Sequence, residues 1–362
     1  MRSIRNYEAE WEIFTVTEKI LEVKDLEFSF DTYAGEVHAI RGVSFHINRS
    51  ESLAIVGESG CGKSVTVQSI MRLVPSPPGR LKGGKIFYFG KDITNYSDRQ
   101  MEKLRGKEMS MIFQDPMTSL NPTMRIGRQI SEGIKKHEKI SPDEARKRSI
   151  NLLKEVGISD PERNIMRYPH MYSGGMRQRV MIAIALACNP KILFADEPTT
   201  SLDVTTQAQI LEVMNHLKQE FEMAIVLITH NLGIVARFAE RISVMYAGKI
   251  VETGKTNDIF YDPRHPYTWG LLNSVPAVGK KRTEKLPTIK GTPPDLFMPP
   301  KGCAFYDRCE YRMKVCKEND PPERMIGEGH YASCWLLDER APGIKPYVVK
   351  RHAGESSGKG VM

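Results

Sequence analysis

The chain has 362 residues, 40% hydrophobic and 27% charged, which suits a globular protein of one large domain with an appendage or two modest domains. No stretch approaches the ~18 consecutive apolar residues of a membrane span. The start, MRSIRNYEAEWEIFTVTEKI, carries acids and no apolar core, so no secretory signal is expected and the chain is expected to stay in the cytoplasm. The net charge is +8, and residues 271–362 hold 16 Lys/Arg against 11 Asp/Glu, so most of the excess lies in the last quarter. Such a tail meets nucleic acid, an anionic membrane surface or an acidic partner, or is a solvated surface.

In chain order, LEVKDLEFSF (21–30), then Val43, Phe45 and Ile47, then SLAIVG (52–57) predict strands leading into a glycine-rich turn. MSMIFQ (109–114), KILFADE (191–197) and MAIVLITH (223–230) are short apolar runs of the kind that form buried parallel strands. The section from about 117 to 190 shows no strand pattern and is rich in Arg, Lys, Glu, Met and Leu, which predicts a helical insertion. Ile210, Val213, Met214 and Leu217 recur at helical spacing, and RISVMYAGKIVETG (241–254) predicts a hairpin around Ala247-Gly248. Strands alternating with helices imply an α/β fold with a largely parallel sheet. From Pro276 to Pro300 six prolines mark a linker or wrapping segment, and the end HAGESSGKGVM is expected to be disordered. No long internal repeat is present.

Two motifs carry the chemistry. In GESGCGKS (57–64) the glycines let successive backbone N–H groups face phosphate oxygens at a helix N-terminus. Ser59, Gly60, Cys61, Gly62 and Val65 are expected to line that phosphate site, Lys63 to charge-pair the β/γ-phosphates, and Ser64 to ligate Mg²⁺. Cys61 is expected to contribute backbone rather than a catalytic thiol. KILFADEP (191–198) sets two acids at the end of an apolar strand, with Asp196 for the Mg²⁺ shell and Glu197 as the base that polarises water. Together they predict an NTPase that uses Mg²⁺.

YSGGMRQRVMIAIALACN (172–189) adds a second turn that offers free N–H groups to an anion. With it, residues 20–255 resemble the ATP-binding cassette family in the order of their motifs. The resemblance implies that Ser173, Gly174 and Gly175 cap the nucleotide of another subunit, with Tyr172 and Met176 departing from the usual Leu and Gln. It also implies that Gln114 reaches Mg²⁺ and the attacking water, that Asp203 of SLD (201–203) faces the other subunit, and that His230 contacts the γ-phosphate. An aromatic should stack on adenine; Phe30 and Tyr33 qualify, and Tyr33 is preferred. The implied organisation is a P-loop cassette domain over 1–260 with a helical subdomain at about 117–190, and a loop-rich extension over 261–362.

HPYTWGLLNSVP (265–276), GTPPDLF and GCAFYDRC make that extension resemble the C-terminal region of dipeptide and oligopeptide importer ATPases. His265 is expected to pack or hydrogen-bond rather than catalyse. The resemblance implies a sister ATP-binding subunit in a heterodimer, two membrane permease subunits and an extracytoplasmic peptide-binding protein, with the chain peripheral on the cytoplasmic face. Nickel importers share much of the pattern, so another solute is the alternative. An ATPase acting on nucleic acid or ribosomes is disfavoured, because the chain has one cassette and no coiled-coil insertion.

Cys303, Cys309, Cys316 and Cys334 lie within thirty-two residues, separated by five, six and seventeen positions. In a reducing compartment they are buried small hydrophobes, a Zn²⁺ site or an iron–sulfur site. Structural zinc favours short C-x₂₋₄-C knuckles, so the wide spacing points to a 4Fe–4S cluster that pins the extension. The cysteines and Lys63 are expected in separate domains, so that losing the centre spares nucleotide binding.

Overall fold

The computed structural model describes residues 18–200, 202–274 and 288–344. Most of the opening stretch, Ser201 of SLD, residues 276–287 of the proline-rich segment and the HAGESSGKGVM end lie outside the described residues. In chain order the strands are β1 (Lys19–Thr32), β2 (Gly35–Asn48), β3 (Ser52–Val56), β4 (Gly79–Tyr88), β5 (Lys91–Asp92), β6 (Met109–Ile112), β7 (Ile192–Asp196), β8 (Ala224–Thr229), β9 (Arg241–Tyr246), β10 (Lys249–Lys255), β11 (Glu323–Gly327) and β12 (His330–Ser333).

The short apolar runs become the centre of the larger sheet, ordered β11-β12-β10-β9-β3-β8-β7-β6, in which β9, β3, β8, β7 and β6 are parallel. Side chains alternate across a strand, so a run that is apolar at every position must be covered on both faces. Leu193, Ala195, Ile225 and Leu227 face one core, which Ile130, Leu153, Val180 and Met214 complete from the helices. Ile192, Phe194, Val226 and Ile228 face the other, against Val23, Phe45 and Ile86 of the smaller sheet β2-β1-β4-β5. That second sheet is antiparallel throughout, and β4 and β5 were not among the predicted strands.

Between β6 and β7 the chain is helical, with Ile126–His137, Pro142–Glu155 and Gly174–Ala185 as its main helices. Ile126, Ile130 and Ile134 recur every fourth residue and are fully buried. The second helix begins where Ser141 Oγ accepts the Glu144 N–H at 3.2 Å, with Pro142 in its first turn.

The extension joins the larger sheet. β9 and β10 form the expected hairpin, and β12 then pairs antiparallel with β10 through Glu252↔Ala332 and Thr253↔Tyr331. The added pair β12-β11 covers the row of backbone groups that an unpaired β10 edge would expose. A third core joins Val56, Val244 and Tyr246 of the sheet to Tyr267, Leu272 and Phe305 of the extension. Among the described residues no helix is long and apolar enough to cross a membrane.

Candidate active site

β3 runs into the phosphate loop, and the helix Lys63–Ile70 starts directly after it. Gly62 has a φ of 105°, and a Cβ there would lie 2.6 Å from the Ala39 carbonyl oxygen, so only glycine fits the turn. Ser59 and Gly60 are exposed at its crest, while Ser64 and Val65 are half-buried in the first helical turn. Lys63 is buried and donates from Nζ to the carbonyls of Gly57 at 2.9 Å and Glu58 at 2.8 Å. A helix N-terminus with a lysine held over it is an anion site, which fits the phosphates of a nucleotide. Cys61 is buried and burial pushes its thiol up, as suits a packed residue rather than a nucleophile.

At the end of β7, Ser64 Oγ donates to Asp196 Oδ1 at 2.8 Å. Burial, with the neighbouring Glu197 charge, holds the Asp196 carboxyl above its ordinary value against the Ser64 hydrogen bond and the Lys63 charge. A hydroxyl and a carboxylate side by side under the loop form the hard-oxygen donor set that Mg²⁺ takes.

Glu197 sits one residue further, with a φ of 44°. A non-glycine residue in this region is strained and persists only where its surroundings fix it. Its N–H donates to the Ile228 carbonyl at 2.9 Å. Its Oε2 accepts from Gln114 Nε2 at 3.1 Å and from Thr200 Oγ1 at 2.9 Å, and its Oε1 lies 3.0 Å from His230 Nδ1. Burial alone would raise this carboxyl, but the hydrogen bonds from His230 and Thr200, with the His230 and Lys63 charges, bring it below its ordinary value. Gln114 and His230 thus meet on the residue predicted to be the base. Thr200 had no place among the predicted residues; its place three positions after Glu197, in a turn, was the available signal.

Ser173 caps the helix Gly174–Ala185, its Oγ accepting the Met176 N–H at 3.3 Å, and Ser173 and Gly174 are exposed. Gly175 packs so near Thr206 that a Cβ would lie 2.8 Å from its methyl. Tyr172 is buried and donates its hydroxyl to the Asn164 carbonyl at 2.7 Å, and burial pushes the phenol up to about 12. Asp203 caps its own helix, Val204–Glu220, with Oδ1 accepting the Thr206 N–H at 2.9 Å. Tyr33 stands fully exposed at the tip of the β1–β2 hairpin, and Phe30 is half-buried with its ring edge-on to Phe28 at 5.4 Å.

The four clustered cysteines are free thiols, Cys316 and Cys334 buried and Cys303 and Cys309 half-buried. Among the described residues no three or more His, Cys, Asp or Glu side chains are placed so as to hold a metal ion. Neither the 4Fe–4S cluster expected from the sequence nor its Zn²⁺ alternative is therefore evident as a formed site among the described residues. The thiols do share one neighbourhood. Burial pushes Cys303 up to about 12, Cys309 to about 11 and Cys334 to about 12, and nearby thiols among the four add to each rise. The backbone N–H groups of Phe305, Tyr311 and Leu336, each two residues further on, act against that rise at Cys303, Cys309 and Cys334.

The expected separation of this segment from the nucleotide site does not hold. Arg308 donates from Nη1 to Glu58 Oε2 at 2.6 Å and from Nη2 to Glu58 Oε1 at 2.9 Å, so the cysteine segment grips the phosphate loop directly. The buried Glu252 carboxylate ties the extension a second time, accepting the N–H groups of Arg264 at 2.6 Å and His265 at 2.9 Å and lying 3.0 Å from His330 Nε2. His265 is buried, as a packing residue should be, and its Nδ1 accepts the Tyr267 N–H at 3.1 Å.

A family model described as ABC transporter matches residues 29–200, and one described as Oligopeptide/dipeptide transporter, C-terminal region, matches residues 251–316. The oligopeptide transport ATP-binding protein OppD of Bacillus subtilis is 58% identical over 91% of this chain and 92% of its own length. The dipeptide transport ATP-binding protein DppD of the same organism is 52% identical over 90% of this chain and 96% of its own. Among solved structures, the ATP-binding cassette MJ0796 in a dimeric post-hydrolysis state with ADP and Pi superposes with a TM-score of 0.59 at 27% identity, covering 65% of this chain and 98% of that one.

Proposed function

The chain belongs to the ABC transporter family, as an ATP-binding subunit of the oligopeptide/dipeptide type, and on that premise we propose that it hydrolyses ATP to drive uptake of dipeptides or oligopeptides across the cell membrane. The observation that carries the hydrolytic half is the meeting of Gln114, Thr200 and His230 on the Glu197 carboxylate, beside the Ser64–Asp196 pair. Lys63 exchanges the Gly57 and Glu58 carbonyls for phosphate oxygens when nucleotide enters. Glu197, held ionised and pinned at both oxygens, orients water and accepts its proton. His230 and Gln114 then reach from that carboxylate toward the phosphate. Ser64 and Asp196, with Gln114, would hold Mg²⁺, which would supply positive charge against the phosphates.

The exposed Ser173-Gly174 turn supports a composite site, in which Ser173, Gly174 and Gly175 cap a nucleotide bound to a sister subunit and Asp203 lies at that junction. Tyr33, at the free tip of its hairpin, is the aromatic assigned to the adenine. Two permease subunits and an extracytoplasmic peptide-binding protein complete the assembly, with this chain peripheral on the cytoplasmic face and no nucleic-acid partner. The four cysteines are assigned a 4Fe–4S cluster of structural role. What supports that reading is four soft sulfur donors in one neighbourhood. Anaerobic purification should give a brown protein absorbing near ~400 nm; a colourless protein with no iron overturns the cluster.

Reconstitution in proteoliposomes tests the transport reading. ATP-driven peptide accumulation that requires this chain is the expected result. Hydrolysis stimulated by DNA or ribosomes, and indifferent to permease and peptide-loaded binding protein, overturns it.

A further inference from the structure

The phosphate loop is held from behind by the extension, at both ends of one residue. Glu58, the second residue of the loop, donates its N–H to the Tyr267 hydroxyl at 2.8 Å, and its carboxylate takes the two-pronged grip of Arg308. Its carbonyl, in turn, accepts from Lys63 at 2.8 Å. Wherever Glu58 is set, Lys63 is set with it.

Arg308 is built for this task. Its side chain is only 5% exposed, which places a charge where it must be fully bonded. The guanidinium has five N–H donors, and five bonds are made. Two go to Glu58, one to the Tyr246 hydroxyl at 3.3 Å, one to the Ile289 carbonyl at 3.3 Å and one to the Lys290 carbonyl at 3.0 Å. The plane also lies over the rings of Tyr246 and Phe305, at 5.7 and 5.9 Å. A planar fork matched to a carboxylate fixes direction as well as distance, which a lysine cannot do.

We propose that Arg308 is a positioning residue for the phosphate loop: from the extension it fixes Glu58, and through Glu58 the loop and Lys63, in the arrangement that receives the nucleotide's phosphates. The proposal rests on the ATPase reading above. Arg308 touches no reacting atom and acts through Glu58. Its loss therefore lowers the fraction of loops ready to bind, and the apparent affinity falls in proportion. Saturating nucleotide restores the ordered loop, so KM should rise more than kcat falls.

The test is equilibrium ATP binding to the full chain, compared among wild type, Arg308→Ala, Arg308→Lys, Glu58→Gln and the double variant Arg308→Ala/Glu58→Gln. If the ready fraction falls to about a tenth, Arg308→Ala raises Kd about tenfold. Arg308→Lys should recover part of that loss, and the double variant should bind no worse than the weaker single one, since both break one link. An unchanged Kd in Arg308→Ala, with only a lower melting temperature, overturns the proposal, and so do losses that add in the double variant. Should Arg308→Ala fail to fold, Glu58→Gln decides alone, because its side chain is 27% exposed and its replacement nearly isosteric. A wild-type chain that binds no ATP is the separate failure of the ATPase reading.

Discussion

The two sides of the phosphate loop are made differently. In front, Gln114 and His230 are exposed and meet on the Glu197 carboxylate, which sits at a strained φ of 44°. On the extension side the groups are buried: Arg308 and Tyr267 bond Glu58 of the loop, and Glu252 accepts the N–H groups of Arg264 and His265 and pairs with His330. The front consists of exposed groups that are able to exchange partners when nucleotide arrives. The back consists of groups whose exchange would leave a buried charge unpaired, which costs several kcal/mol. Hydrolysis and rigidity are thus assigned to different sets of side chains, and each set can be broken separately.

The largest effect should come from the front. Glu197→Gln keeps the shape but cannot take the proton, and turnover in the assembled transporter should fall by about 10²–10⁴-fold while ATP still binds. Near-normal turnover, with the sister subunit's site disabled, would remove Glu197 from its role. At the back, Glu252→Ala strands the N–H groups of Arg264 and His265 and unpairs His330, at a cost of about 3 kcal/mol. Denaturant titration should show that loss, with turnover per folded molecule affected far less than in Glu197→Gln.

A pH series sharpens the same contrast. Burial holds His265 neutral, its pKa lowered from 6.5 to about 3. The unfolded chain therefore binds a proton below pH 6.5 that the folded chain refuses until about pH 3. Stability from this group is complete above pH 6.5 and is lost on acidification, at about 1.4 kcal/mol per pH unit. His265→Asn, which can still cap its helix, should flatten the slope in that window; an unaltered slope would assign the acid sensitivity elsewhere. The smallest effect joins the two sides. Cys309→Ser, next to Arg308, should raise the ATP Kd about threefold by loosening the grip on Glu58. Unchanged affinity would show that the cysteine itself does not hold Arg308 in place.

How much of this was legible in the sequence follows from how local each feature is. The parallel strands announce themselves in six to eight consecutive residues and the β9–β10 hairpin in fourteen, and the phosphate loop and the Asp196-Glu197 pair are contiguous motifs. β4 was missed because Gly79, Gly83 and Gly84 and its charged positions dilute the alternation of a half-buried strand. β12, only His330–Ser333, is a strand because β10 offers it an edge, which no four-residue pattern reveals. The Arg308–Glu58 pair bridges 250 positions of chain. Neither residue type is unusual where it stands, so only the folded chain brings the pair into view. The same distance hid the link between the cysteine segment and the nucleotide site.

The open front sets how the specific ATPase activity of the purified chain depends on protein concentration. A half-site that lacks another subunit's Ser173–Gly175 turn should be a weak ATPase whose activity per molecule rises with concentration, or on adding the sister subunit. Strong activity per molecule, equal at every concentration and indifferent to the sister subunit, would contradict the account.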